Sequence, residues 1–175
     1  VINKKEFNAR LVYANYVVDV IEDTNKFFKL ICSLLQPGCF FYFEVIYLQA
    51  LITNLRYDCF AHLRCNLITA KSVLYISKKF GFDIELIEVD KGYRGGTLKV
   101  LLSKKVKPSS TKNPINSQLK ELIQKEDSYL CEDMTKDFLR HKEKAEALIS
   151  KKAKDFSLIV LCGAGVKAAT LFNIL

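Results

Sequence analysis

Two histidines and a strand-end carboxylate are the side chains of this sequence best suited to proton transfer. An unperturbed histidine titrates near neutral pH, so His62 is the candidate general base, with a loop histidine hydrogen-bonded beside Asp58 as the alternative. Glu44 ends a predicted parallel strand, where open α/β sheets bind ligands, although a solvated carboxylate fits equally well. His141 lies among lysines and is interpreted as a surface residue.

Two glycine turns offer candidate binding sites. In "LIVLCGAGVKAATLFNIL" an apolar run meets residues 163–168, which fit the G-x-G-x-x-G/A pattern of a dinucleotide site. That site also requires a later strand with an acid about twenty residues on, which this sequence does not reach. Lys167 would occupy the positive end of the last helix, which favours a phosphate or sugar ligand over the alternative, a solvated surface lysine. The second turn, "KGYRGGT", places Gly95 at a hairpin bend that needs positive φ.

The apolar periodicity predicts the elements that must position these residues. The strands "ARLVYANYVV" and "CFFYFEVIYL" flank a helix, "TNKFFKLICSLLQ", that Asp23-Thr24 caps and Pro37-Gly38 ends. Such a strand-helix-strand unit is parallel and right-handed. A second helix, "TAKSVLYISKKF", starts from a Thr69 cap and stops at Gly81. The strands "FDIELIEVD" and "TLKVLLSKK" follow, and their short connection makes them antiparallel.

The remaining sequence predicts a second lobe. The segment "KKVKPSSTKNPINS" is typical of a linker. Beyond it, "SQLKELIQKEDSYL" and "TKDFLRHKEKAEALISKKAKD" are predicted helices, and the terminal apolar run is a predicted strand followed by a helix. The predicted division is a partial sheet domain over 1–105, a linker over 106–117 and an incomplete α/β lobe over 118–175.

Composition limits the function classes. The chain has 175 residues, half of them apolar, which is enough for one full domain and part of another. Its net charge of +8 comes from scattered lysines without a recognition-helix or zinc-finger pattern, so no nucleic-acid partner is expected. Six cysteines without a C-x-x-C pair predict buried free thiols in a reducing cytoplasm and no bound metal. No membrane span or signal peptide is predicted, and both ends, Val1 and Leu175, look like cuts within a longer protein.

Several stretches carry a family resemblance. "VYANYVVDVIED" and "LLQPGCFFYFEVI" resemble the class I S-adenosylmethionine (SAM) dependent methyltransferases, where a strand, a helix, an "lL.PGG" turn and a strand ending in "E.P" follow one another. The closing antiparallel hairpin is of the same kind. More narrowly, three blocks resemble the sugar-nucleotide C-methyltransferases. "EVIYLQALITNLRYDCFAH" is similar to that family's run to "FD.IYHEH", "GGTLKV" to "GGSLR", and "CGAGVKAATLFNIL" to "YGAPAKGNTLLNY".

The resemblance implies a partial Rossmann-like fold, SAM as cofactor, and a deoxysugar carried by a nucleoside diphosphate as methyl acceptor. A sugar carbon becomes nucleophilic only when a proton next to a carbonyl is removed, and His62 is the candidate for this step. Asn15, within the stretch similar to the family's "NVLAHV.D" block, is implied in cofactor binding. The candidates for substrate binding are Glu44, Gly95, Gly96, Thr97, Lys99, Lys167, Thr170 and Asn173.

The sequence also departs from the family. On one alignment Ala61, His62, Leu63 and Arg64 stand in place of "YHEH", and on the alternative "HLRCNLITAKSV" matches the looser "EHL..FT..SL" of ordinary methyltransferases. Val20 replaces a histidine of the earlier block. A glycine-rich loop, an acidic ribose ligand and a cysteine-rich zinc domain are absent from the sequence, so the chain alone is expected to bind SAM poorly. The alternative function is therefore a sugar-nucleotide-binding module or degenerate paralogue without methyl transfer. A dinucleotide-dependent oxidoreductase is less favoured.

Overall fold

A four-stranded sheet forms the centre of the computed structural model. The structure describes residues 9–60, 63–106, 117–128, 131–158, 160, 162, 163, 165 and 167–169. The strands are β1 (Ala9–Asn15), β2 (Leu35–Ile46), β3 (Phe82–Asp90) and β4 (Thr97–Lys104). β1 pairs in parallel with β2, whereas β4 lies between β2 and β3 and is antiparallel to both. The predicted α/β fold, a partial Rossmann-like sheet ending in an antiparallel hairpin, is confirmed.

Local sequence signals set the ends of the first helices. The described helices are α1 (Thr24–Leu34), α2 (Leu48–Thr53), α3 (Ala70–Phe80), α4 (Ser117–Asp127) and α5 (Cys131–Ala153). Asp23 caps α1 by accepting a hydrogen bond from Lys26 N at 2.8 Å. Thr69 and Ser72 form a reciprocal capping box at the start of α3, and Gly81 ends that helix with φ of 71°. The predicted caps of both helices are confirmed.

The boundary between α1 and β2 differs from the prediction. Pro37-Gly38 does not end the helix, because α1 stops at Leu34 and β2 already begins at Leu35. Leu35 is extended, buried and paired with Ala9, while its N–H still donates to Ile31 O. A residue before proline avoids helical backbone, and Leu35 gains burial by joining the sheet. The helix therefore ends before the proline is reached.

The main core lies between one face of the sheet and helices α1 and α3. Phe28 of α1 contacts Phe41 and Phe43 of β2 edge to face, with ring centroids 6.0 and 6.4 Å apart. Because successive strand residues point to opposite faces, these inward phenylalanines leave Tyr42 and Glu44 on the other face of β2. That second face carries the predicted site residues Asn15, Glu44 and Lys99.

Helix α4 packs against the core of the sheet, although the predicted second lobe, residues 118–175, includes this helix. Leu119 is only 2% exposed and belongs to the main core. Glu126 accepts hydrogen bonds at the start of α3 from Ala70 N at 2.5 Å and Lys71 N at 3.2 Å. It also accepts one from Tyr47 Oη at 2.9 Å. These contacts join α4 to both α3 and the end of β2.

The predicted strand after α5 is not formed at its described positions. Leu158 and Val160 are 76% and 77% exposed and pair with no described strand. A strand is stable only beside another backbone that completes its hydrogen bonds, and the described sheet offers this segment none. Residues 167–169 are helical, in agreement with the predicted last helix.

The cysteines are only partly buried. Cys59 is a buried free thiol, and Cys32 and Cys39 are half-buried free thiols. Cys65 and Cys162 are also free but exposed, which corrects the prediction of burial for these two. Both lie in irregular segments, where no regular element holds the side chain against the core.

Candidate functional site

A row of polar residues crosses the sheet where β1 ends. Asn15, the last residue of β1, pairs with Glu44, which pairs on its other side with Lys99. Lys99 in turn pairs with Glu88 of β3. Residues directly opposite each other in neighbouring strands project from the same face. The sheet therefore brings three predicted site residues side by side, on the face away from the α1 and α3 core.

Glu44 is held by a tyrosine of its own strand. Tyr42 Oη donates a hydrogen bond to Glu44 Oε1 at 2.7 Å, and the Tyr42 ring stacks on Tyr13 with centroids 5.5 Å apart. Burial raises the pKa of Tyr42, and the hydrogen bond to Glu44 raises it further, so the phenol stays protonated at neutral pH. A neutral hydroxyl therefore orients this carboxylate.

Lys99 has a carboxylate partner within the hairpin. Its Nζ lies 2.9 Å from Asp90 Oδ2, and this bond lowers the pKa of Asp90 and raises that of Lys99. Asp90 also accepts a hydrogen bond from Gly92 N at 3.0 Å, in the turn between β3 and β4. A ligand that binds Lys99 must therefore share it with Asp90.

Close packing against α2 requires a glycine at Gly96, and positive φ favours one at Gly95. At Gly96, where φ is 132°, an added Cβ would lie 2.2 Å from Ala50 Cβ. At Gly95, where φ is 82°, an added Cβ would lie 2.6 Å from Arg56 Nη1. Asn54 Nδ2 donates to Gly95 O at 2.8 Å. This geometry accounts for both glycines by itself, and it fixes the hairpin bend against α2.

Tyr16 and Arg94 make a contact that the sequence interpretation missed. Tyr16 follows Asn15 with φ of 52°, and its N–H donates to Glu44 O at 2.8 Å. Its hydroxyl lies 2.6 Å from Oγ1 of the fully buried Thr97. The guanidinium carbon of Arg94 lies 4.2 Å from the Tyr16 ring centroid. The signal that could have found Tyr16 is its position directly after a predicted parallel strand.

A buried ion pair, Asp19 with Arg64, lies behind Tyr16. Asp19 follows β1 in a short 3-10 turn over Val18–Val20 and is 2% exposed. Its Oδ2 accepts from Arg64 Nη1, whereas its buried Oδ1 has no hydrogen-bond partner among the described residues. Asn66 N donates to the backbone oxygen of Asp19 at 3.1 Å. Arg64 is thus fixed to the turn after β1, at a position where the family resemblance places a histidine.

Lys167 forms an ion pair with a carboxylate of the same chain, Asp58. Its Nζ lies 3.1 Å from Asp58 Oδ2, and Arg56 Nε donates to Asp58 Oδ1 at 2.8 Å. The hydrogen bond from Arg56, supported by Lys167, lowers the pKa of Asp58 to about 2. The three side chains border an open cleft of about 390 Å³. Its described lining residues are Asn54, Leu55, Arg56, Asp58, His141, Lys167 and Ala168.

Three predicted site residues, His62, Thr170 and Asn173, lie outside the residues that the structure describes. Their roles stay predictions. Across the described ranges, no three side chains of His, Cys, Asp or Glu converge to hold a metal ion. No helix of those ranges has the length and apolar character to cross a membrane.

Comparisons with known proteins find similarity among solved structures. No protein-family model matches the chain, and no curated protein sequence matches it. A SAM-dependent methyltransferase from Methanosarcina mazei aligns with a TM-score of 0.49 and 12% identity, over 60% of this chain and 66% of that one. The N-methyltransferase NodS from Bradyrhizobium japonicum, solved with S-adenosyl-L-homocysteine, aligns with a TM-score of 0.39 and 14% identity, over 59% and 52%. The chain spans just under two thirds of the first protein and about half of the second.

Proposed function

We propose that this chain is the part of a SAM-dependent methyltransferase that binds the methyl acceptor. We further propose that the reaction is C-methylation of a keto-deoxysugar carried by a nucleoside diphosphate. The observation that carries the proposal is the position of β4, an antiparallel strand between β2 and β3. This is the closing hairpin that the sequence resemblance implies. The block "GGTLKV" supplies the bend and the start of β4, beside Asn15 and Glu44.

Methyl transfer to carbon needs a base, a polar or cationic group near the enolate oxygen, and an aligned methyl donor. SAM supplies, when bound, a methyl group already activated on sulfonium sulfur. Asn15, exposed at the carboxyl end of β1, is the described residue that would contact it. His62 is the proposed base, Glu44 would orient a sugar hydroxyl, and Lys99 provides a cation on the same face.

The test is methyl transfer by the protein produced from its complete reading frame. The protein is incubated with methyl-labelled SAM and a thymidine-diphosphate keto-deoxysugar, and the sugar is recovered for mass spectrometry. Label on a sugar carbon supports the proposal, whereas SAM binding without labelled sugar contradicts C-methylation. His62→Ala should lower the rate by about 10²-fold or more without weakening SAM binding.

A second candidate function is a sugar-nucleotide-binding module without methyl transfer. It is favoured by Arg64, which stands where the resemblance places the second histidine of "YHEH" and is tied to Asp19. A guanidinium stays protonated in proteins and cannot act as a base at neutral pH. Calorimetric titration of the complete protein separates the two functions: binding of the sugar nucleotide without binding of SAM supports the module.

A further inference from the structure

Arg94 has a well-defined position but no acidic partner. Among the described residues, no carboxylate lies within ion-pair distance of its guanidinium. Three acids of the neighbouring segments bond elsewhere, because Asp19 accepts from Arg64, Glu44 from Tyr42 and Asp90 from Lys99. Arg94 is exposed in the turn between β3 and β4, at the edge of the sheet where β1 ends. A cation held in this way has binding capacity that the described part of the chain does not use.

The aromatic contacts of Arg94 leave its hydrogen-bond donors available. The guanidinium carbon lies 4.2 Å from the Tyr16 ring centroid and 5.6 Å from that of Tyr93. Cation-π contact uses the face of the aromatic ring and does not consume the guanidinium N–H donors. Those donors form a fork that suits bidentate binding of a carboxylate or phosphate. The contact with Tyr16 therefore orients a guanidinium that is suited to bind an anion.

Tyr16 is itself fixed on three sides. Its hydroxyl bonds Thr97, its N–H bonds the backbone of Glu44, and its ring tilts against Tyr93 with centroids 5.9 Å apart. Tyr16 and Arg94 both have left-handed backbone, with φ of 52° and 50°. Such conformations are uncommon outside glycine and cost free energy that the surrounding structure must supply. The platform beneath Arg94 is therefore rigid.

Arg64 adds a second positive charge to this region. Burial lowers the pKa of its guanidinium, and the charge of Arg94 lowers it further, so the two arginines repel each other. The Asp19 carboxylate neutralises the charge of Arg64 but not that of Arg94. A ligand anion beside Arg94 would remove the remaining excess of positive charge.

We propose that Arg94, stacked on Tyr16, binds an oxyanion of the methyl acceptor, a phosphate or carboxylate group. The proposal rests on the proposed function for its choice of acceptor, since a nucleoside-diphosphate sugar carries such phosphates. The binding site itself is defined by the contacts of this turn. Arg94 is not one of the substrate-binding candidates that the sequence supplied.

Direct binding to the 175-residue chain, without SAM, tests the proposal. Isothermal titration uses thymidine diphosphate as the phosphate probe, glucuronate as the carboxylate probe and thymidine as the neutral control. At least one anionic probe should bind more tightly than thymidine, and which of them binds identifies the anion. Arg94→Gln should weaken that binding about tenfold or more, because it removes a charge-assisted bidentate contact. Arg94→Lys should retain part of the affinity.

Arg140→Gln is the matched control, since Arg140 is an exposed arginine of α5 that pairs with Asp137. It should leave the affinity unchanged. Equal weakening by Arg140→Gln and Arg94→Gln would mean non-specific attraction to a chain of net charge +8 and would overturn the proposal. Unchanged affinity in Arg94→Gln, or no anion binding by the wild-type chain, would also overturn it. Anion binding with no methyl transfer by the complete protein would contradict the proposed function and leave the anion-binding role of Arg94 intact.

Discussion

At the residue scale, breaking the ion pair of Asp19 and Arg64 is expected to lower the free energy of unfolding the most. Asp19 is buried in the turn after β1, and the carboxylate has one charged partner. When one partner of a buried ion pair is removed, the cost of burying the remaining charge is no longer compensated. Replacing both residues by apolar ones often leaves the free energy of unfolding unchanged. The pair therefore fixes the loop that leads from α2 to α3 against the end of β1.

Arg64→Leu should lower the free energy of unfolding by about 3–5 kcal/mol, because it leaves the Asp19 carboxylate uncompensated. Urea unfolding followed by circular dichroism measures the change. The double variant Asp19→Val, Arg64→Leu is the control and should recover most of the loss. A loss below about 1 kcal/mol in the single variant would show that Asp19 finds another partner or water.

Gly96 is the second residue whose replacement the packing forbids. Gly96→Ala should lower the free energy of unfolding by more than about 2 kcal/mol, because φ of 132° and a 2.2 Å approach to Ala50 Cβ both oppose a side chain. Gly92→Ala is the matched control in the same turn, where an added Cβ would be 3.6 Å from Asp90 Oδ1. It should change stability by less than about 0.5 kcal/mol, and equal effects would reject the close-packing explanation.

At the element scale, α4 stabilises the start of α3 from outside the sheet. The two carboxylate oxygens of Glu126 accept N–H groups of the first turn of α3, where helix donors have no partner within the helix. Tyr47 holds the same carboxylate, and its pKa is raised by burial and by this hydrogen bond. One side chain thus links α4, α3 and the residue that follows β2.

Glu126→Ala should lower the free energy of unfolding by about 1–3 kcal/mol, since it removes the acceptor of three hydrogen bonds. Hydrogen exchange of the Ala70 and Lys71 amides should accelerate at the same time. The control on the same helix is Glu121→Ala, which removes an exposed i,i+4 pair with Lys125 and should cost less than about 0.5 kcal/mol. Unchanged exchange at these amides in Glu126→Ala would contradict the capping role.

At the scale of the whole molecule, the segment after α5 is tied back to the sheet domain through a charge cluster. Lys167 reaches Asp58, which Arg56 also binds, across the cleft that His141 lines. Because these charges are partly exposed, the link depends on pH and salt more than the apolar core does. It is the described contact through which a ligand in the cleft would affect both parts of the chain.

Asp58 has a lowered pKa of about 2, against 3.8 for the free group, so its contacts add stability above pH 4 that is lost as the pH falls towards 2. Asp58→Asn should therefore cost about 1 kcal/mol at pH 6 after allowance for solvent screening, and almost nothing near pH 2. Urea unfolding of both proteins across this range measures the difference. Lys167→Met should show a smaller effect with the same sign, and a pH-independent difference would contradict the assignment.

Much of the sheet could be predicted from local signals. Apolar periodicity, the Asp23 and Thr69 caps and the stop at Gly81 set α1, α3 and the strands, because these signals act within a few neighbouring residues. The short "KGYRGG" connection made the last two strands antiparallel. The end of α1 and the start of β2 were misplaced, because burial of Leu35 competes with the local proline signal.

The site was predicted only in part. Asn15, Glu44 and Lys99 came from strand ends and family-like blocks, and the register of the sheet brings them into one row. Tyr16, Asp19, Arg64 and Arg94 were missed, because their importance lies in contacts with residues far along the chain. The required approach of Gly96 to Ala50 was likewise invisible in the sequence.

The sequence by itself determined the kind and order of α1, α3 and the four strands, since periodicity, caps and turns are properties of neighbouring residues. The tertiary structure alone decided which charges face each other: Asp58 with Lys167, Asp19 with Arg64, and Arg94 with the ring of Tyr16. Those pairings follow from strand order and helix packing, which depend on the burial of the whole apolar core. The same packing leaves Arg94 without an acidic partner among the residues that the structure describes.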